Sequence, residues 1–164
     1  MPVQFDQTHV VPMSSADCVE AATIDQAANR HPWSLRHFQD SLHQQHPAFC
    51  LWRDATLLGF WVAMPVVDEL HLLALTVNVQ HQQQGLGRRL LQHFMDCAQQ
   101  HSIPQQPVQS LWLEVSAQNQ AAIALYQAMN WQVMGRRKQY YPAVAGVRDD
   151  ALLMSYVIHA ELDR

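Results

Sequence analysis

The sequence predicts an α/β single domain of about seven strands and about four helices, and three observations lead there. Leu70–Val77 is almost wholly apolar, which suits a central strand covered on both faces. The helix after it sets Leu86, Leu90, Phe94 and Ala98 four residues apart, with Leu91 and Cys97 beside them. Arg88, Arg89, Gln92, Asp96 and Gln99 fall on the opposite side, so one face is core and the other solvent. Leu111–Val115 then alternates, with Leu111, Leu113 and Val115 on one face and Trp112 and Glu114 on the other.

Taken in order, Val3–Val10 reads as a first strand, and Ser14 or Ser15 as the N-cap of a helix running to Ala28, with Asp17 and Glu20 in its acidic first turns. His31-Pro32-Trp33-Ser34 breaks the chain, and Ser34 caps a second helix to about Leu42, stopped by Pro47. Phe49–Arg53 and Thr56–Met64 read as a hairpin around Asp54-Ala55, and Asp68-Glu69 as the turn into the central strand. His101–Ser110 is a polar loop holding Pro104 and Pro107. Asn119 starts a helix through Met129 with the inner stripe Ala122, Leu125, Tyr126 and Met129, and Asn130 stands where a left-handed helix-ending residue is expected. Trp131–Tyr140 and Ala151–Ile158 close the fold as two strands around a loop from Pro142 to Asp150.

Composition narrows the function. The chain has 164 residues, 49% hydrophobic and 15% charged, which is globular rather than disordered. A formal charge of −4 and a pI near 6.2 leave no basic footprint for nucleic acid. The longest apolar run, Leu57–Val67, carries Gly59 and Pro65 and is too short for a membrane span, which takes about 20 residues. The start of the chain has no signal-peptide pattern. Cys18, Cys50 and Cys97 then read as reduced thiols of a cytoplasmic protein.

Chemistry is expected first at Gln82-Gln83-Gln84-Gly85-Leu86-Gly87-Arg88, between the central strand and its helix. Glycines at a helix start uncover the first backbone N–H groups, and with the helix dipole they suit an anion such as phosphate. The plain alternative is a glycine-eased turn. A dinucleotide fingerprint would need a small residue at Leu90, and a P-loop would need Gly-Lys-Ser/Thr, so neither fits. Glu114, in the middle of an apolar strand, is a candidate general base if burial lifts its pKa; otherwise it is an edge carboxylate facing water. Tyr126 is either a core aromatic or a proton donor. His43 and His46 lack a third residue at metal-ligand spacing and read as surface histidines. Cys97 reads as a core thiol. Arg136-Arg137-Lys138 is either a solvated strand edge or a guide for phosphates or an acidic acceptor. Tyr140 and Tyr141 are either packing or a cleft closure.

Gln-x-x-Gly-x-Gly after a buried strand resembles the pyrophosphate loop of the GCN5-related N-acetyltransferases. LWLEVSAQNQAAIALYQAMNW and RRKQYYPAVAGVRDDALLM resemble the bacterial ribosomal-protein-alanine N-acetyltransferases within them, as does the His31-Pro32-Trp33-Ser34 corner. The resemblance covers roughly Pro32 to Met154 and is strongest from Leu75 to Tyr141. It implies a single N-acetyltransferase domain over residues 1–164, with a mixed, mostly antiparallel sheet. Residues 1–47 would supply an N-terminal strand and two helices, 70–100 the acetyl-CoA-binding strand, loop and helix, and 111–158 the catalytic part. Carried onto matching positions, Glu114 would be the general base and Tyr126 the general acid. Acetyl-CoA would meet Leu75, Thr76, Val77, Gln83, Gln84, Gly85, Leu86, Gly87, Arg88 and Asn119. Trp33, Tyr140 and Tyr141 would bind the acceptor, with no metal in the site. Ser116 stands where an arginine is common, Met129-Asn130-Trp131 replaces a common Leu-Gly-Phe, and the loop around Pro104 and Pro107 looks longer.

The expected reaction is direct acetyl transfer from acetyl-CoA, in a ternary complex, to the N-terminal amine of a protein. The resemblance points to the N-terminal alanine of a small-subunit ribosomal protein. An α-amine has an unperturbed pKa of about 7.7–8.0 against about 10.4 for lysine, so it needs less help from a base. Lysine or a small-molecule amine is the alternative acceptor, and an acyl-CoA-binding sensor without turnover the non-enzymatic alternative. Neither direct nucleic-acid binding nor a membrane is expected.

Overall fold

The computed structural model describes residues 7–100 and 107–158. Its strands are β1 (Thr8–Pro12), β2 (Ala48–Arg53), β3 (Thr56–Val66), β4 (Glu69–Val77), β5 (Ser110–Ser116), β6 (Gln132–Arg137) and β7 (Ala151–Val157). Its α-helices are α1 (Cys18–Ala28), α2 (Leu35–His43), α3 (Leu86–Gln99) and α4 (Gln120–Ala128). The strands form one seven-stranded sheet in the order β1-β2-β3-β4-β5-β7-β6. β4 and β5 are parallel, whereas β1 with β2, β2 with β3, β5 with β7, and β6 with β7 are antiparallel. The expected mixed, mostly antiparallel architecture is therefore present. What the strand pattern did not reveal is that β7 inserts between β5 and β6.

The chain divides into two compact units. One comprises the described residues through Met64 together with Leu73–Phe94; the other comprises Pro65–Leu72 and the described residues from Met95 onward. In the first unit, Ser14 and Asp17 form a capping box ahead of a 3₁₀ turn (Ser15–Asp17) that leads into α1. Ser34 caps α2 as expected, its side chain accepting the His37 backbone N–H. Cys18, Ala21 and Ile24 of α1 and Phe38 of α2 bury against Cys50, Leu57, Phe60 and Val62. The Phe38 ring sits edge-on to both Trp33 and Phe60, at 5.1 and 5.2 Å. Trp61 donates its indole N–H to His93 at 3.1 Å, so this buried polar group has a partner.

Gly59 on β3 allows a close approach in this unit. A Cβ there would lie 2.5 Å from the Thr76 carbonyl oxygen and 2.8 Å from Leu90 Cδ1. Gly59→Ala is expected to destabilise the protein by ~1–3 kcal/mol through overpacking, because the clash is with backbone that cannot swing aside. Chemical denaturation should show a lower midpoint with an unchanged slope, and an unaltered midpoint would contradict the reading.

In the second unit, Leu111, Leu113 and Val115 are buried while Trp112 and Glu114 are half-buried, as the alternation predicted. Ile123, Tyr126 and Met129 are the buried positions of the α4 segment; Ala122 and Leu125, expected inside, are half-buried, and Ile123 takes the inward place. Asn130 adopts φ 69°, the left-handed ending expected of it. Trp131 is buried between Tyr126 and Tyr156, at 5.9 and 6.1 Å between ring centroids.

Several boundaries move. The first strand is Thr8–Pro12, and residues 3–6 of the expected strand lie outside the described residues, as do residues 101–106 of the proline-bearing loop. The turn before β4 is Val67-Asp68, with Val67 at φ 55°, rather than Asp68-Glu69. β6 ends at Arg137 because Lys138-Gln139 turns with Gln139 at φ 50°, which leaves Tyr140 and Tyr141 beyond the strand.

Candidate active site

In the first unit, local backbone chemistry builds the loop expected to hold phosphate. The pairing of β4 with β5 runs from Glu69↔Ser110 to Leu72↔Leu113, and Leu73–Val77 continue without a β5 partner. Such an edge offers peptide groups to an extended ligand. Asn78 anchors its end: its backbone N–H donates to Leu58 at 2.8 Å and its side chain caps a 3₁₀ turn (Val79–His81) through Gln80 N–H. Gln82 ties the loop back through a 3.2 Å bond to the Val77 carbonyl.

Gln83 and Gly85 then take φ values of 60° and 79°, which aim the chain into α3. The first helical bond runs from Arg89 N–H to the Gly85 carbonyl. The N–H groups of Leu86, Gly87 and Arg88 precede it and have no acceptor within the helix, an arrangement whose chemistry suits an anion. Arg88 extends into solvent beside them, whereas Arg89 donates to the Thr8 carbonyl at 3.1 Å.

Beneath the β4 edge lies a polar cluster that sequence reading missed. Asp25 of α1 is 1% exposed. It accepts Thr76 Oγ1 at 2.7 Å, the Asn29 side-chain amide, and the Trp33 backbone N–H at 2.7 Å. Its position was legible as a carboxylate on the inner stripe Cys18–Ala21–Asp25 of an otherwise apolar helix face, but its partners were not.

In the second unit, Glu114 is half-buried, its side chain 27% exposed and 3.3 Å from Arg137 Nη2. Of the two readings left open for this carboxylate, burial or an edge facing water, neither holds in full: position 114 faces away from the Leu111–Leu113–Val115 core and is half-covered. Tyr140 donates its hydroxyl to Glu114, and that bond holds the phenol above its usual pKa. The Arg137 guanidinium also stacks over the Tyr140 ring at 5.3 Å, so Arg137 is more than a solvated edge residue. Tyr141 lies edge-on to Tyr140 at 5.2 Å, and burial pushes its hydroxyl up to about 12. Burial drives the Tyr126 phenol up as well, with Tyr141 as a secondary influence.

Asn119 caps α4 by accepting Ala122 N–H at 3.2 Å. Ser116 is drawn into the turn before that helix, donating to Asp149 at 3.2 Å and accepting Gln118 N–H at 3.2 Å. Asp150 fixes the loop that carries the two tyrosines. It accepts Gln139 N–H at 2.8 Å and Arg136 Nε at 2.7 Å, and these bonds hold its carboxyl below the usual range.

The remaining candidates are structural. Cys18, Cys50 and Cys97 are buried thiols; burial pushes Cys18 up and Cys50 up to about 12, so neither of these two is a ready nucleophile. His43 is exposed, but His46 is half-buried rather than superficial, and burial lowers its pKa. The expected site residues are thus divided between the two units. Trp33 and Thr76 share Asp25 in the first, where the 83–88 loop also lies, and Glu114, Tyr126, Tyr140 and Tyr141 interact in the second, which also holds Asn119.

A family model for acetyltransferases of the GNAT type matches residues 17–131. The chain belongs to the acetyltransferase (GNAT) family. The Escherichia coli (strain K12) ribosomal protein bS18-alanine N-acetyltransferase is 35% identical over 146 residues, which is 89% of this chain and 95% of that protein. Its Haemophilus influenzae counterpart is 29% identical over 132 residues, 80% of this chain and 86% of that one. The crystal structure of the Escherichia coli ribosomal-protein-S18-alanine N-acetyltransferase superposes with a TM-score of 0.82 at 32% identity, covering 94% and 97% of the two chains. Arabidopsis thaliana NAA60 in complex with acetyl-CoA shares the fold at TM-score 0.78 and 18% identity, covering 92% and 98%. The GNAT fold expected from the sequence is therefore present, and the protein is an acyltransferase.

Proposed function

We propose that this GNAT enzyme acetylates the N-terminal amine of a protein, with the N-terminal alanine of a small-subunit ribosomal protein as acceptor. The observation that carries this reading is the 35% identity, across 89% of the chain, to an enzyme named for that alanine of bS18. We further propose that residues 1–164 act as one N-acetyltransferase domain in the cytoplasm, without direct nucleic-acid or membrane binding and without a metal. Among the described residues, no helix is long and apolar enough to cross a membrane.

In this reading acetyl-CoA is the donor substrate. Its pyrophosphate sits on the N–H groups of Leu86, Gly87 and Arg88 within the Gln83–Arg88 loop, and its amides pair with the β4 edge at Leu75, Thr76 and Val77. The backbone turns at Gln83 and Gly85 and the edge left by β5 support that assignment. The amide end of Asn119 that is not engaged in its cap adds a contact. Trp33, Tyr140 and Tyr141 receive the acceptor.

Glu114, through a water, takes a proton from the acceptor's ammonium, and the freed amine nitrogen then bonds to the thioester carbon and sheds its second proton to solvent. Backbone N–H groups of β4 steady the oxyanion. The carbon–sulfur bond then breaks, and Tyr126 gives its proton to the departing thiolate. The half-buried setting of Glu114 and the raised pKa of Tyr126 support a base that solvent reaches and an acid that stays protonated.

The test is acetyl-CoA turnover, read as thiol release, on three peptides. One carries a free N-terminal alanine, one has that amine blocked, and one offers only a lysine amine. Turnover confined to the free α-amine is the expected result. Turnover on lysine alone would move the acceptor to side-chain amines, and cofactor binding without turnover on any peptide would point to a sensor.

A further inference from the structure

We infer that Asp25 is a positioning residue that keeps the acceptor-side corner at Trp33 in register with the cofactor strand at Thr76. The inference rests on the assignment of those two residues under the proposed function. Trp33 and Thr76 stand far apart in sequence, yet one carboxylate bonds both. Asp25 Oδ1 accepts the Thr76 hydroxyl at 2.7 Å and the Asn29 amide, while Oδ2 accepts the Trp33 backbone N–H at 2.7 Å. Asn29 closes the cluster with a second bond, its amide donating to Thr76 Oγ1 at 3.0 Å.

The arrangement is more directional than packing requires. Joining α1 to β4 needs no charge, since apolar side chains of similar volume would serve stability at least as well. A carboxylate 1% exposed is tolerated because donors from three segments satisfy it: α1's own end, the corner after it, and β4. Its two oxygens are held in one rigid plane, so the Trp33 backbone is fixed relative to Thr76 Oγ1. Thr76 itself is 4% exposed, and its backbone belongs to the edge assigned to the thioester. Trp33 is half-buried against Phe38, with its ring 5.7 Å from His37, and so keeps a surface for a ligand. Small displacements between two reacting partners cost rate steeply, about 10²-fold for ~1 Å. Asp25 therefore acts on the reaction through Trp33 and Thr76 rather than by touching substrate.

The experiment compares Asp25→Asn, Thr76→Val and Thr76→Ser with wild type, at a temperature where circular dichroism shows each variant folded. It uses whichever amine the wild type acetylates, so a change of acceptor class alters only the peptide. A wild type that acetylates no amine overturns the proposed function, and this inference with it. Asp25→Asn keeps the shape but turns one acceptor oxygen into a donor. It should lower kcat/KM for the acceptor by about tenfold or more, with the acetyl-CoA dissociation constant held within about threefold. Thr76→Val should fall in the same direction, and Thr76→Ser, which keeps the hydroxyl, should lie between it and wild type. If Asp25→Asn does not fold, the Thr76 pair carries the test by the same split. Acceptor kinetics that stay at the wild-type level overturn the inference. A parallel loss of cofactor affinity does so too, because that is what general loosening of α1 would give.

Discussion

Tyr126→Phe is expected to lower kcat by ~10²–10⁴-fold, the usual worth of a positioned general acid, while the acetyl-CoA dissociation constant stays within about threefold. The reason lies in how little else the substitution removes. Tyr126 is 6% exposed and packs its ring against Trp131 at 5.9 Å, contacts that phenylalanine keeps. The lost group is the hydroxyl. Burial disfavours the phenolate, so the folded-state pKa lies above the ordinary value near 10 and the proton is present throughout the neutral range. The sign matters: a raised pKa suits Tyr126 to give a proton and makes it a poor proton acceptor near neutral pH. Steady-state thiol release paired with calorimetric titration of acetyl-CoA would separate the two constants. Undiminished kcat in Tyr126→Phe would assign the proton to another group.

Glu114→Gln is expected to reduce kcat/KM for the acceptor by ~10²–10⁴-fold at neutral pH, with the deficit narrowing as pH rises. An α-amine titrates at about 7.7–8.0, so below that range the acceptor is mostly ammonium and must lose a proton before attack. Above it the amine is already neutral, and removing the base matters less. The observed environment supports a base linked to solvent: Glu114 is half-buried, with Arg137 3.3 Å away and the Tyr140 hydroxyl bonded to it. These partners also anchor the side chain, so the substitution disturbs the Tyr140 end of the acceptor-facing group. A pH–rate profile for wild type and variant is the measurement. Parallel profiles, with a constant ratio at every pH, would assign Glu114 a positioning part instead of proton transfer.

The sequence by itself determined the repeating local structure of this protein and its membership of an acyltransferase family. Leu86, Leu90, Phe94 and Ala98 could be placed on one helix face, and Leu111, Leu113 and Val115 on one strand face, because side-chain periodicity is a property of the backbone alone. Ser34, Asn119 and Asn130 marked helix ends for the same local reason, and each does so in the structure. Gly85 carried the phosphate-loop reading because its freedom at positive φ is intrinsic to the residue.

Only the tertiary structure decided how those pieces meet. Nothing local says that β7 enters between β5 and β6, since strand order depends on long-range pairing. Alternation put Glu114 on the face away from the Leu111–Leu113–Val115 core, but only the fold sets it against Arg137 and Tyr140, residues that follow α4 in the chain. Asp25 is the sharpest case. A helix carboxylate is ordinarily a surface residue. It becomes a buried junction because hydrogen-bond donors 4, 8 and 51 residues away converge on its two oxygens. Periodicity is a short-range property that one segment can declare, whereas satisfaction of a buried charge is a property of the whole fold.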